Sequence, residues 1–209
     1  YNGAGTGIAD FNNDSLPDIF FAGNVTSCKL FLNKGNLTFN DVTSTAGLTT
    51  KAWCTGVSVV DINGDGLMDI YVSTIHPDIS KKAPNIFFIN QGTDDQGVPH
   101  FKDLASNFGL ADSSYSSQSA FLDYDLDGDL DMYLLTNALE NYTRNAPIGQ
   151  RKDGTGKSVD KLYRHDTLVG VSIHFTDVSS QAGVLAEGWG LGVIVNDFND
   201  DGWPDIYCA

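Results

Sequence analysis

Four copies of one acidic loop, set between short alternating segments and held in a constant frame by a second marker, predict an all-β chain of β-propeller blades. The loops read "IADFNNDSLPDIFFA", "VVDINGDGLMDIYVS", "FLDYDLDGDLDMYLL" and "VNDFNDDGWPDIYCA". They begin at Asp10, Asp61, Asp123 and Asp197, and each keeps a final Asp eight residues on, at Asp18, Asp69, Asp131 and Asp205. The second marker is "FNDVTSTAGL", "FKDLASNFGL" and "FTDVSSQAGV". Its Phe precedes the next loop's final Asp by 30 residues each time: Phe39 to Asp69, Phe101 to Asp131, Phe175 to Asp205. All length variation falls between a loop's last Asp and the next Phe, at 21, 32 and 44 residues. A fixed frame with insertions on one side is how stacked supersecondary units behave.

Each unit reads as four antiparallel strands. The segment before the loop ("GVSVV") and the one after it ("DIYVS") alternate side chains and carry β-branched and aromatic residues. "KLFLN", "NIFFIN" and "DKLYRH" supply third strands, and Phe-x-Asp-Val/Leu the fourth. Gly47, Gly109 and Gly183 then turn the chain into the next unit. No stretch has long helical periodicity. The units run at approximately 1–50, 51–112, 113–186 and 187–209, the last partial, within a single segment 1–209. Propellers have about 4–8 blades, so the chain reads as roughly half of one.

The loops have the chemistry of calcium sites. A hard cation of that size takes about 6–8 oxygens. Positions 1, 3 and 5 of a tight turn supply three side chains: Asp10, Asn12 and Asp14; Asp61, Asn63 and Asp65; Asp123, Asp125 and Asp127; Asp197, Asn199 and Asp201. Position 7 gives a backbone carbonyl, which explains its variety at Leu16, Leu67, Asp129 and Trp203. Asp18, Asp69, Asp131 and Asp205 close the shell at position 9. Gly66, Gly128 and Gly202 permit the bend at position 6, where the first loop has Ser15 and is expected to be weaker or strained. Asp125 replaces the Asn of the other loops, so the third loop carries most charge and is expected to bind tightest. An all-oxygen cage disfavours zinc and copper. An EF-hand would need Glu at position 12, where Phe21, Val72, Leu134 and Cys208 stand. One ion per repeat, up to four in all, is the expectation.

Charge agrees with this. The net charge is −15 and the pI about 4.2, which argues against a nucleic-acid partner. Thirteen of the 27 acidic residues stand at loop positions 1, 3, 5 and 9, and four divalent ions would bring −15 to −7. No apolar run approaches the ~18 residues of a membrane span. The chain starts at Tyr1 and stops inside "DIYCA", so it reads as a fragment in which absent targeting signals mean little.

The Asp-x-Asn/Asp-x-Asp-Gly-x-x-Asp loops, with Phe-x-Asp-Val and Ala-Gly-Leu between them, resemble FG-GAP/VCBS repeat proteins. The nearest variety is related to cartilage acidic protein and the UnbV/ASPIC group. The resemblance covers nearly the whole chain. It implies a calcium-binding propeller, often seven-bladed as in integrin α-subunits, on a secreted or surface-exposed protein (outer-membrane-associated if bacterial). One departure lies five residues before each loop, where Gly5, Gly56 and Gly192 are matched by Gln118, which leaves the strand start of the third unit open.

Partner contacts are sought in the third unit's insertion, Leu139 to Arg164, where Tyr142, Arg144, Arg151, Lys152, Lys157 and Lys161 form a basic surface on an acidic scaffold. An acidic glycan or a protein is the expected partner, besides the remaining blades. Catalysis has thinner support: His76, His100, His165 and His174 form no convergent pattern, and no hydrolase or phosphate-loop motif is present. The reading is a non-catalytic binding or assembly module. A carbohydrate-active enzyme (polysaccharide lyase or hydrolase) is the alternative, and a structural spacer the second. Cys28 and Cys54 fall at the end of adjacent units away from the loops and are a candidate disulfide, whereas Cys208 matches strand positions and is expected to be a buried thiol.

Overall fold

The computed structural model describes residues 4–78, 80–138, 151–156, 158–166 and 173–209. The first antiparallel sheet runs β1 (Thr6–Ala9), β2 (Asp18–Phe21), β3 (Lys29–Asn33) and β4 (Phe39–Asp41) in that spatial order. The second repeats it with β5 (Trp53–Val60), β6 (Asp69–Ile75), β7 (Ile86–Thr93) and β8 (Pro99–Asp103). The third is β9 (Ser116–Leu122), β10 (Asp131–Thr136), β11 (Lys161–His165) and β12 (Phe175–Asp177). A two-stranded sheet of β13 (Val193–Asn196) and β14 (Asp205–Cys208) follows. Helix is confined, among the described residues, to the single turn α1 (Ala105–Phe108), which Gly109 ends at φ 80°. Four-stranded meanders of this kind are propeller blades, as the repeat predicted.

The core lies between the sheets. Phe20, Leu30 and Leu32 of the first pack with Val57, Ile70, Val72 and Phe88 of the second. Tyr71, Phe87 and Ile89 of the second pack with Met132, Leu134 and Tyr163 of the third. Leu122, Tyr133, Leu135 and Leu162 take the inner face of the fourth, Val193, Val195 and Ile206. A sheet with neighbours on both faces buries both side-chain sets, so β6 is buried along nearly its whole length. The end sheets keep one open face: Ile8 on β1 and Ile194 on β13 are 65% and 56% exposed.

First strands lie side by side, β5 between β1 and β9, and β9 against β13. Ser58 Oγ donates to the Ser119 carbonyl at 2.7 Å, and Thr55 Oγ1 to that of Ser116 at 2.7 Å. This approach explains two of the glycines five residues before the loops, Gly5 and Gly56, whereas a Cβ on Gly192 would meet nothing within 4 Å among the described residues. A Cβ on Gly5 would meet the Val57 nitrogen at 2.6 Å, and one on Gly56 the Ser117 carbonyl oxygen at 2.4 Å. Gln118 occupies the same register, paired with Leu135 as Gly56 is with Ser73. Its amide donates back to the Val57 carbonyl at 3.0 Å, so the third unit starts in the common frame. The constant Phe-to-Asp spacing also has a cause. The Phe101 amide donates to the Ala46 carbonyl at 2.9 Å, and a Cβ on Gly109 would lie 2.7 Å from the Phe175 carbonyl oxygen. The turns at Gly47 and Gly109 are each seated on the next unit's fourth strand.

Two expectations about the insertions change. Part of the added length is strand, since β6 and β7 outrun β2 and β3, and part lies beyond the third strand, between β11 and β12. The insertion itself does not reach Arg164: Lys161 and Arg164 are in β11, because Leu162 and Tyr163 between them are core residues. Cys208 also departs from expectation. It is exposed, because β14 pairs only with β13 and its outer side is open.

Candidate metal centres

Each loop joins the first and second strands of its sheet, and all four share one hydrogen-bond pattern. The first aspartate accepts the amides of positions 5 and 6 on its two oxygens. For Asp10 these are Asp14 and Ser15 at 3.0 and 2.6 Å; for Asp61, Asp65 and Gly66 at 3.1 and 2.8 Å. For Asp123 they are Asp127 and Gly128, both at 3.0 Å; for Asp197, Asp201 and Gly202 at 3.2 and 2.8 Å. The position-5 carboxylate accepts the amide of position 7: Leu16, Leu67, Asp129 and Trp203 at 2.9, 2.8, 3.0 and 2.9 Å. These bonds curl the loop back on its first aspartate.

The curl needs two left-handed residues. Position 6 has φ of 69°, 82°, 97° and 86° at Ser15, Gly66, Gly128 and Gly202. Ser15 therefore holds a conformation that costs a side chain about 1 kcal/mol or more. Position 4 is left-handed as well, at Asn13, Gly64, Leu126 and Asp200. Three of those four are residues that tolerate this region, a signal the sequence carried and that position 6 overshadowed.

Position 9 has a second role. Asp18, Asp69 and Asp131 are fully buried, and one oxygen of each accepts the position-2 amide: Phe11, Ile62 and Tyr124 at 3.0, 3.2 and 3.0 Å. The other oxygen accepts an amide at the end of the third strand, from Asn33, Asn90 and His165, each at 2.8 Å. The aspartate thus pins the loop hairpin to the third strand. Asp205, whose sheet has no third strand, keeps only the Phe198 bond at 3.0 Å. Burial pushes the Asp69 carboxyl up to about 7 and Asp131 to about 6, against the pull of these amides; neighbouring loop carboxylates add to the rise, and Asp18 moves the same way.

Asn90 links neighbouring loops. Its side-chain amide donates to the Phe11 carbonyl at 2.9 Å, one residue into the first loop, while its backbone amide holds Asp69 of the second. Asn33, Asn90 and His165 were not anticipated as loop residues. The recurring Asn that ends "KLFLN" and "NIFFIN" was the available sign.

The third loop is the most developed for a cation. One carboxylate oxygen from each of Asp123, Asp125 and Asp131 lies within 4.8 Å of the others. In the other loops the position-3 Asn donates to the position-5 carboxylate, at 3.0, 2.8 and 2.9 Å from Asn12, Asn63 and Asn199. Asp125 has no hydrogen to donate, and its Oδ1 is buried without a hydrogen-bond partner among the described residues. A buried anionic oxygen in that state is costly unless a cation meets it. The donor set fits a hard divalent ion.

Residues 10–72, the first loop through most of the second unit's second strand, match the FG-GAP-like repeat family. That stretch of the chain is similar to an FG-GAP-like repeat. The chain as a whole is 26% identical over 208 residues to the T-cell immunomodulatory protein of Rattus norvegicus, covering 95% of this chain and 30% of that protein. It is 24% identical over 205 residues to cartilage acidic protein 1 of Xenopus tropicalis, covering 98% and 28%. With human cartilage acidic protein 1 the identity is 25% over 207 residues, covering 98% and 27%. The chain spans less than a third of the length of these relatives.

Of the six basic-surface residues, Tyr142, Arg144 and Lys157 lie outside the described residues. Arg151 and Lys152 are exposed, and Glu187 fixes the turn they begin by accepting the Arg151 amide at 3.1 Å. Lys161 is a strand residue ion-paired to Asp177 at 3.3 Å. No helix among the described residues is long and apolar enough to cross a membrane.

Proposed function

We propose that this segment is a calcium-stabilised part of a β-propeller exposed outside the cell or on its surface, acting as a non-catalytic binding or assembly module. The observation that carries the reading is the third loop, where a buried, unpartnered Asp125 oxygen faces the carboxylates of Asp123 and Asp131. Asp127 and the position-7 carbonyl of Asp129 complete that set, and the other three loops offer the same positions with Asn at position 3. A bound cation screens three or four carboxylates that otherwise repel at short range. Because position 9 also holds the third strand, neutralising it stabilises the blade as well as the loop. By mass action each ion adds about 2.7 kcal/mol at 100-fold excess over Kd. Affinities in the range of extracellular modules, roughly 10⁻⁴–10⁻³ M, would suit an exported protein. The relatives' names, drawn from cartilage and from immunomodulation, support a place outside the cell, and neither is the name of an enzyme.

The partner is a protein or an acidic glycan, and Arg151 and Lys152 offer exposed positive charge on the third unit's insertion. Affinity capture from native surface and matrix material, in calcium and in chelator, tests this. The intact protein should retain a specific partner in calcium and release it in chelator, with retention reduced in an Arg151→Ala, Lys152→Ala variant. A capture indifferent to both changes would refute the assignment of the binding surface.

A further inference from the structure

Cys28 and Cys54 are fully buried at the ends of their blades opposite the acidic loops. Cys28 closes the connection from β2 to β3, and Cys54 is the second residue of β5. Their Sγ atoms are 3.6 Å apart, across the boundary between the first and second sheets. The backbone already brings the segments together: the Cys54 amide donates to the Gly23 carbonyl at 3.1 Å, and the Thr50 amide to Ser27 Oγ at 3.0 Å. Both sulfurs sit in the apolar core shared by the two sheets.

We infer that Cys28 and Cys54 form a disulfide that staples the first blade to the second. Closing the gap to the roughly 2.05 Å of an S–S bond requires side-chain rotation between sulfurs already in contact. The oxidant is a protein disulfide of the thiol-oxidoreductase class, met while the chain is still folding, since neither sulfur is exposed afterwards. One of the two thiolates attacks that disulfide and a mixed disulfide forms. The other then displaces the carrier, which leaves as a dithiol with two electrons and two protons. The resulting ring encloses β3, β4 and the turn into β5. For a loop of this size the chain-entropy relation corresponds to roughly a few-hundred-fold shift in the unfolding equilibrium. A bond of this kind belongs to an oxidising compartment, and the inference holds or fails independently of the metal reading.

The test is to produce the protein through an oxidising secretory route, unfold it in an alkylating reagent without reductant, and measure intact mass and unreduced peptides. The expected result is one alkyl group, on Cys208, and one cross-linked pair containing Cys28 and Cys54. The same protein should lose stability in denaturant on reduction, whereas a Cys28→Ser, Cys54→Ser variant should not respond to reductant. Three alkyl groups, or a cross-link that includes Cys208, would overturn the proposal. Cys208→Ser serves as the control for mispairing and should leave the pair intact.

Discussion

Replacing Asp69 by Asn separates the two roles of position 9, because its effect should depend on whether calcium is present. Asp69 is fully buried and accepts the amides of Ile62 and Asn90 on separate oxygens. An Asn side chain keeps one acceptor and turns an NH2 toward the other donor. The lost bond and the unsatisfied buried N–H cost about 1–3 kcal/mol. Against this, burial raises the Asp69 carboxyl from 3.8 to about 7, so ionising it in the folded, ion-free protein costs about 4 kcal/mol above that pH. Asn removes that cost. In chelator at pH 8 the variant should therefore be as stable as the wild type, or more so by up to about 3 kcal/mol. In calcium the sign reverses, since the variant forfeits at least the roughly 2.7 kcal/mol that one site supplies at 100-fold excess over Kd. Urea unfolding of both proteins in both conditions reads all four values. Equal destabilisation with and without calcium would refute the reasoning and leave Asp69 as a hydrogen-bonding post alone.

Three further outcomes are expected. Ser15→Gly, at a φ of 69°, should stabilise the chain by about 1 kcal/mol and strengthen the first loop's calcium affinity; unchanged unfolding would show that the loop relaxes around serine. Gly56→Ala should cost about 1–3 kcal/mol, because its Cβ would sit 2.4 Å from the Ser117 carbonyl oxygen where β5 meets β9, and a neutral result by thermal melting would mean the first strands separate freely. Ion-free stability should fall as pH rises. Asp18, Asp69 and Asp131 have folded pKa values above their unfolded ones, so their favourable contribution is complete below about pH 4 and is lost as pH climbs, through about 6 for Asp131 and about 7 for Asp69. Calcium should flatten or invert that slope, and parallel melts across pH 5–8 would show whether it does.

The fold was legible because its repeat is rigid where blades touch. The Phe and Gly markers keep their spacing since Gly47 and Gly109 pack on the backbone of the next fourth strand, leaving no room for an added residue. The loops were legible as one recurring element for a similar reason: Asp10, Asp61, Asp123 and Asp197 each accept the same two amides, which keeps the spacing constant. What escaped sequence reasoning were groups that act through their backbone. The amides of Asn90 and His165 hold Asp69 and Asp131 from 21 and 34 residues away, and a backbone donor leaves no mark on residue type. Lys161 stood in two readings, the third-strand segment and the basic insertion, and the buried Leu162 and Tyr163 beside it commit it to β11.

The central claim, that these loops hold calcium, is tested most directly by calorimetric titration of calcium into the metal-stripped chain alongside an Asp125→Asn variant. The account predicts saturable binding of up to four ions, with the tightest class weakened in the variant because the unpartnered oxygen of the third loop is gone. Absence of binding at millimolar calcium, or a tightest class untouched by Asp125→Asn, would contradict it.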